Sequence, residues 1–333
     1  MGTAGGYGPS GLQGWSPRGR SAPRRHCWSI TAITDSAFTD GYWTSEDGLR
    51  LHYRDYPAAH GSTDSSGKGA SRPPIICLHG LTRNARDFAN LAADLADEGW
   101  RVIVPDMRGR GQSDYSRDPQ TYHVGQYVAD LAALRRDLAI NRYVAIGTSM
   151  GGLMTMVQAM RDPDPLAACV LNDIGPVVEP GGLAHIKEYV GQGGSYPTWM
   201  HAARALEELH GASHPLYGLD DWLGMAKRNM VLCGNWRIAF DYDMKIAELL
   251  RAAGGDEAAV PPDLWPGLEA LGRRPLLMIR GALSNLLTAE TFAAMRARAP
   301  DALQLTVSDT GHAPTLDEPE ARAAIDTLLA QVG

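Results

Sequence analysis

No run of 18 or more consecutive apolar residues occurs in this 333-residue chain, which excludes a membrane-spanning helix of ordinary length. Cysteine is scarce. Cys27, Cys77, Cys169 and Cys233 lie far apart without a CxxC pair, so the usual zinc and thioredoxin-like spacings are missing. Cys77 and Cys169 sit inside apolar runs and read as packed thiols in a reducing compartment, which makes the cytoplasm the expected location. A basic excess is missing as well: the net charge is −7, whereas a dedicated nucleic-acid binder needs a positive surface against phosphate. The glycine-rich stretch Arg108-Gly109-Arg110-Gly111-Gln112-Ser113-Asp114 lacks the spacing and the lysine of a phosphate loop, and reads as a structural turn.

What is present suits a globular α/β protein, with 44% hydrophobic and 21% charged residues. Residues 1–34 contain no Asp or Glu, are rich in Gly, Ser, Pro and Arg, and read as a disordered tail. From Phe38 the alternation around Glu46-Asp47-Gly48 predicts a β-hairpin, and the small, polar stretch from Ala58 to Arg72 predicts a loop. Short apolar runs ("PPIICLHG", "WRVIVPD", "RYVAIG", "LAACVLNDIG") then alternate with amphipathic helical segments. Strands apolar on both faces, separated by helices, imply a parallel sheet covered on both sides. After Pro176 the rhythm breaks for an aromatic-rich stretch without a convincing strand, and resumes at "RRPLLMIRG" and "LQLTVS". The expected organisation is a tail (1–34), a first part of the core (35–176), an inserted helical cap (177–262) and a second part of the core (263–333).

Gly147-Thr148-Ser149-Met150-Gly151 follows an apolar strand and opens an apolar helix, the context of a G-x-S-x-G nucleophile elbow. Read alone, it could also be a glycine-rich turn in which Ser149 merely caps a helix. Leu78-His79-Gly80-Leu81 follows the earlier strand, where backbone amides of Leu81 and Met150 could hold a tetrahedral oxyanion. His79 reads as structural. Asp309-Thr310-Gly311-His312-Ala313-Pro314 follows the last strand and supplies an imidazole able to take the serine proton and return it to a leaving group. Arg83, Asn84 and Arg86 could meet an acidic substrate, but surface solvation is the expected role of each. In the inserted segment Tyr189, Trp199 and Trp222 are candidates to roof the cleft over Ser149 and contact an apolar substrate.

The pieces "LHGLTRNARDF", "PDMRGRGQSD", "GTSMGG", "LNDIGP" and "TGHAP" resemble the α/β-hydrolase superfamily, specifically its cap-bearing esterase and meta-cleavage-hydrolase-like branch, over roughly residues 38 to 333. The resemblance implies a mostly parallel sheet of about eight strands with helices on both faces, an inserted helical cap, and a Ser–acid–His order. One departure stands out. The triad acid of such proteins usually follows the strand that here is "LLMIRG", where this chain reads Gly281-Ala282-Leu283-Ser284-Asn285-Leu286, with Asn285 at the carboxylate position. Asp173, at the end of the preceding strand, is the alternative acid to orient His312. Its other reading is a brace for the start of the cap through backbone hydrogen bonds.

The activity expected is hydrolysis of a carboxylic ester or lactone through an acyl-enzyme at Ser149, with no cofactor and no metal. Carbon–carbon bond hydrolysis of a diketone is the enzymatic alternative. A ligand-binding protein on a hydrolase scaffold is the other, motivated by Asn285. The partner expected is a small apolar ester or lactone, not nucleic acid or a membrane, and a homodimer is left open.

Overall fold

The computed structural model describes residues 37–59, 72–252 and 263–332, together with the backbone of Cys27–Trp28. Strands are numbered β1 (Cys27–Trp28), β2 (Thr39–Thr44), β3 (Arg50–Tyr56), β4 (Ile75–Leu78), β5 (Val102–Asp106), β6 (Tyr143–Thr148) and β7 (Leu166–Asn172). They continue with β8 (Ser195–Tyr196), β9 (Met230–Cys233), β10 (Ile238–Phe240), β11 (Leu276–Gly281) and β12 (Leu303–Val307). An eight-stranded sheet runs in the order β12-β11-β7-β6-β4-β5-β3-β2. Its members from β4 to β12 pair in parallel, and the hairpin β2–β3 adds antiparallel to β5.

Side chains along the central strands alternate between two cores, as the two-residue period of a strand requires. Ile76, Leu78, Tyr143, Ala145 and Met278 enter one core, with the helices Val124–Asp137, Met150–Arg161 and Trp265–Leu271. Ile75, Cys77, Val144, Ile146 and Ile279 enter the other, with the helices Ala89–Asp97 and Pro319–Leu329. Both faces are therefore dry, which is why these strands read as unbroken apolar runs.

The chain passes from β4 to β5 on one side of it and then to β6 on the other. Loops leaving the carboxyl ends of β4 and β6 therefore diverge, and that divergence opens the crevice where parallel α/β sheets receive ligands.

The inserted segment departs from the helical expectation. Alongside the helices Pro180–Tyr189, Trp199–His210 and Leu219–Asn229 it contains β8, β9 and β10, and β1 pairs with β9 to complete a four-stranded antiparallel sheet. These strands are two to four residues long, too short for an alternation pattern to register in the sequence. The pairing Cys27↔Cys233 and Trp28↔Leu232 likewise places two residues of the expected tail in a sheet. The rest of the expected tail up to Thr34, and residues 60–71 of the expected loop, lie outside the described residues. Among the described residues no helix is long and apolar enough to cross a membrane.

Candidate active site

Ser149 stands between β6 and the helix Met150–Arg161 with φ 52° and ψ −113°, a left-handed turn that a non-glycine residue adopts only under constraint. The constraint is close packing. A Cβ on Gly151 would lie 2.0 Å from the Leu78 carbonyl oxygen, and one on Gly147 would lie 2.5 Å from the Gly151 backbone. Glycine at both positions lets the helix start directly against β4, which holds the Ser149 side chain up at the sheet's carboxyl edge.

Three loop ends converge there. His312 Nε2 lies 2.8 Å from Ser149 Oγ, and His312 Nδ1 lies 2.8 Å from Asp173 Oδ2. An ionised carboxylate only accepts, so Nδ1 carries the proton and Nε2 is left to receive the serine hydrogen. Asp173 is fully buried, at φ 55°, and accepts two further bonds: from the Gly281 amide at 2.8 Å and from Ser284 Oγ at 2.6 Å. Asn172 ties the same three loops together, its Nδ2 donating to Thr148 Oγ1 at 3.0 Å and to the Pro314 carbonyl at 2.8 Å.

Asn285 is corrected as a site residue. It is exposed, while its neighbour Ser284 turns inward to Asp173. The loop after β11 thus supplies a hydroxyl that steadies an acid carried by the loop after β7.

The Met150 amide, at the first position of its helix, has no intrahelical acceptor. Among the described residues neither it nor the Leu81 amide donates to a protein acceptor. A Cβ on Gly80 would lie 3.8 Å from Ser149 Cβ, so the loop carrying Leu81 runs beside Ser149. Arg110, fully buried, braces both candidate donors: its Nε donates to the Leu81 carbonyl at 2.9 Å and its Nη2 contacts Met150 Sδ at 3.5 Å. The turn that carries Arg110 is thus structural, as read, and it sets a cation behind this loop.

His79 is structural too. Its Nδ1 donates to the Gly80 carbonyl at 2.7 Å, and its Nε2 accepts from the Met107 amide at 3.1 Å. Burial, followed by the nearby Arg110 charge, pushes it down to about 4, so it is neutral.

The inserted segment closes over this point, and a cleft lined by Ser149, His312, Tyr189, His210, Arg83 and Arg228 lies between it and the sheet. Tyr189 is where it was expected. Trp222 and Trp199 are not among the lining residues. Trp222 is 1% exposed within the insert's own core beside Met225 and Leu206, and Trp199 packs against that core. Both stabilise the insert, whose helices are too short to stand without an apolar centre.

Solvation does not describe Asn84 and Arg86 either. Asn84 is buried, caps the turn Ala85–Phe88, and donates through Nδ2 to the Arg228 carbonyl at 3.0 Å. Arg86 donates to the same carbonyl at 2.9 Å and pairs with Asp241 at 2.8 Å. Arg228, Ser284, Asn172 and His210 were not singled out by sequence reasoning. Arg228 lies three residues from Met225, a helical spacing that puts both on one face but cannot say what the face meets.

The fold and the elbow define an α/β hydrolase, and residues 73–319 match the family model described as the alpha/beta hydrolase fold. The chain belongs to that family. It is 35% identical over 257 residues to the 3-hydroxybutyrate-oligomer hydrolase of Cupriavidus necator, covering 76% of this chain and 87% of that protein. The 2-(acetamidomethylene)succinate hydrolase of Mesorhizobium japonicum is 27% identical over 245 residues, covering 73% of this chain and 82% of that one. The crystal structure of an alpha/beta hydrolase from Novosphingobium aromaticivorans superposes with a TM-score of 0.82 at 52% identity, over 90% of this chain and 100% of that one.

Proposed function

We propose that this hydrolase cleaves carboxylic esters through an acyl-enzyme, with esters of short hydroxy acids as the substrate class. The observation that carries the reading is the continuous hydrogen-bond chain Ser149–His312–Asp173, each link 2.8 Å. Ser149 Oγ attacks the ester carbonyl while His312 Nε2 takes its proton. The oxyanion accepts from the Leu81 and Met150 amides, each such donor being worth about 3 to 4 kcal/mol in the transition state. His312 then protonates the departing alkoxide, and water repeats the sequence to release the acid. Asp173 keeps the imidazole in the tautomer the first step needs and stabilises the imidazolium that forms.

The inserted segment acts as a cap that limits the entry of bulk water and sets the size of the pocket. The hydroxy-acid class rests on the likeness to the 3-hydroxybutyrate-oligomer hydrolase. An amide at position 285 motivated the binding-protein reading; a buried carboxylate in contact with His312 supports catalysis instead.

The test is turnover of p-nitrophenyl acetate, p-nitrophenyl butyrate and the 3-hydroxybutyrate dimer by the protein and by Ser149→Ala. Wild-type hydrolysis that Ser149→Ala abolishes, with a fluorophosphonate adduct found on Ser149 by mass spectrometry, is the expected result. Undiminished hydrolysis by Ser149→Ala would overturn it.

A further inference from the structure

We propose that Arg83 and Arg228 form a subsite, inside the cleft that holds Ser149, for a carboxylate borne by the substrate. The inference rests on the ester-hydrolase reading and adds that the preferred esters are anionic.

Arginines near this cleft are treated in two ways. Arg86 is engaged: its Nε donates to the Arg228 carbonyl, and its Nη2 reaches the Asp241 carboxylate at 2.8 Å and the Met230 carbonyl at 3.4 Å. Arg228 lines the cleft, yet among the described residues its guanidinium makes no ion pair or hydrogen bond. Burial raises the Asp317 carboxyl, and the Arg228 charge, acting from beyond ion-pair distance, works against that shift. Its backbone is fixed, because its carbonyl accepts from both Asn84 and Arg86.

Arg83 also lines the cleft, and its one ion pair among the described residues, with Asp87, is stretched to 3.4 Å. The stem of Arg83 lies beside the nucleophile: its Cγ is 3.5 Å from the Cβ position of Gly80, which is itself 3.8 Å from Ser149 Cβ.

The surroundings suit an anion. His210 and His214, held neutral by burial and then by the Arg83 charge, offer no competing positive charge that would need its own partner. Among the described residues Asp87 is the carboxylate lining the cleft, and its pairing with Arg83 is the weak one. Two part-buried guanidinia with spare donors beside a nucleophile match a carboxylate, which accepts two parallel N–H bonds from one fork. Tyr189, Ile186 and Phe240 line the cleft alongside polar groups such as Asp87, His210 and Asn229, and spare arginine donors there would serve a wholly apolar ester poorly.

The test compares the 3-hydroxybutyrate dimer as its free acid with the same dimer capped as a methylamide. Wild type should prefer the free acid by at least tenfold in kcat/KM, the effect of one to two charge-assisted hydrogen bonds being about 10- to 100-fold. Arg228→Ala and Arg83→Ala should each lower that preference about tenfold or more. Arg204→Ala, an exposed arginine of the insert paired with Glu207, should leave the preference intact.

The same comparison by calorimetry in Ser149→Ala, which cannot turn over, reads the subsite independently of catalysis. Tighter binding of the free acid there, lost when Arg228→Ala is added, supports the subsite. Equal binding of the two dimers overturns it, as does an equal loss on both dimers in the arginine variants. Hydrolysis persisting in Ser149→Ala would instead overturn the mechanism and leave the binding comparison to decide the subsite.

Discussion

Asp173→Asn changes one atom of a group that is fully buried and accepts three hydrogen bonds. The amide oxygen can keep the Gly281 bond, since that amide reaches Oδ1 at 2.8 Å. The new NH₂ group then occupies the place of Oδ2, facing Ser284 and His312. Ser284 adapts by rotating its hydroxyl to accept. His312 adapts only by presenting an unprotonated Nδ1, which moves its proton to Nε2 and turns the acceptor facing Ser149 into a donor. The same exchange in the serine-protease triad lowers kcat by about 10⁴. That loss corresponds to about 5 kcal/mol of barrier.

Stability should suffer less, by about 1 to 3 kcal/mol, because the groups remain paired in a poorer pattern. The assay is kcat on p-nitrophenyl butyrate, read alongside a thermal melt. A folded Asp173→Asn protein retaining more than a tenth of wild-type turnover would refute the tautomer argument. So would a rise of several-fold in Asn285→Asp, because an exposed carboxylate at 285 has no route to His312 in this arrangement.

Gly151→Ala should destabilise at or beyond the upper end of the 1–3 kcal/mol usual for overpacking, since its Cβ meets the β4 backbone at 2.0 Å. Gly181→Ala, with nothing within 4 Å, should be neutral or slightly stabilising, and urea midpoints compare the two. Arg108→Met leaves the buried Asp130 without the two 2.6 Å bonds it receives, and should cost about 3 to 5 kcal/mol in urea unfolding. Acid should weaken the fold through His79, whose pKa is held near 4 against an ordinary 6.5. The unfolded chain binds the extra proton first, so stability is full above about pH 6.5 and is lost as pH falls toward 4, by about 1.4 kcal/mol per pH unit from this group. Thermal melts at pH 7 and pH 5 should show the drop, and an unchanged melting temperature would contradict it. His79 cannot escape by charging in place, because Nε2 would then point a proton at the Met107 amide.

Period and punctuation made the sheet legible: four-residue apolar runs such as Ile75–Leu78, separated by amphipathic helices, have few other ways to bury both faces. Gly147 and Gly151 around Ser149 disclosed the elbow because a sharp strand-to-helix turn needs their missing side chains. The short strands Ser195–Tyr196 and Ile238–Phe240 escaped notice, since a period cannot be measured on two or three residues.

Which groups meet was decided by tertiary structure alone. The sequence by itself determined a parallel α/β core, a serine on its elbow and a late histidine, and it offered Asp173 and position 285 as rival partners for that histidine. Only the pairing of β7 with β11 decided between them. With Ile279 beside Asn172, the Asp173 carboxylate lies against the Gly281 amide and Ser284, while position 285, the next residue along, is exposed. The same holds for Arg83 and Arg228, 145 positions apart in the chain and brought to one cleft by the insert folding back over the sheet. Contacts between distant segments carry no local period, so they are written in packing and not in the pattern of any one segment.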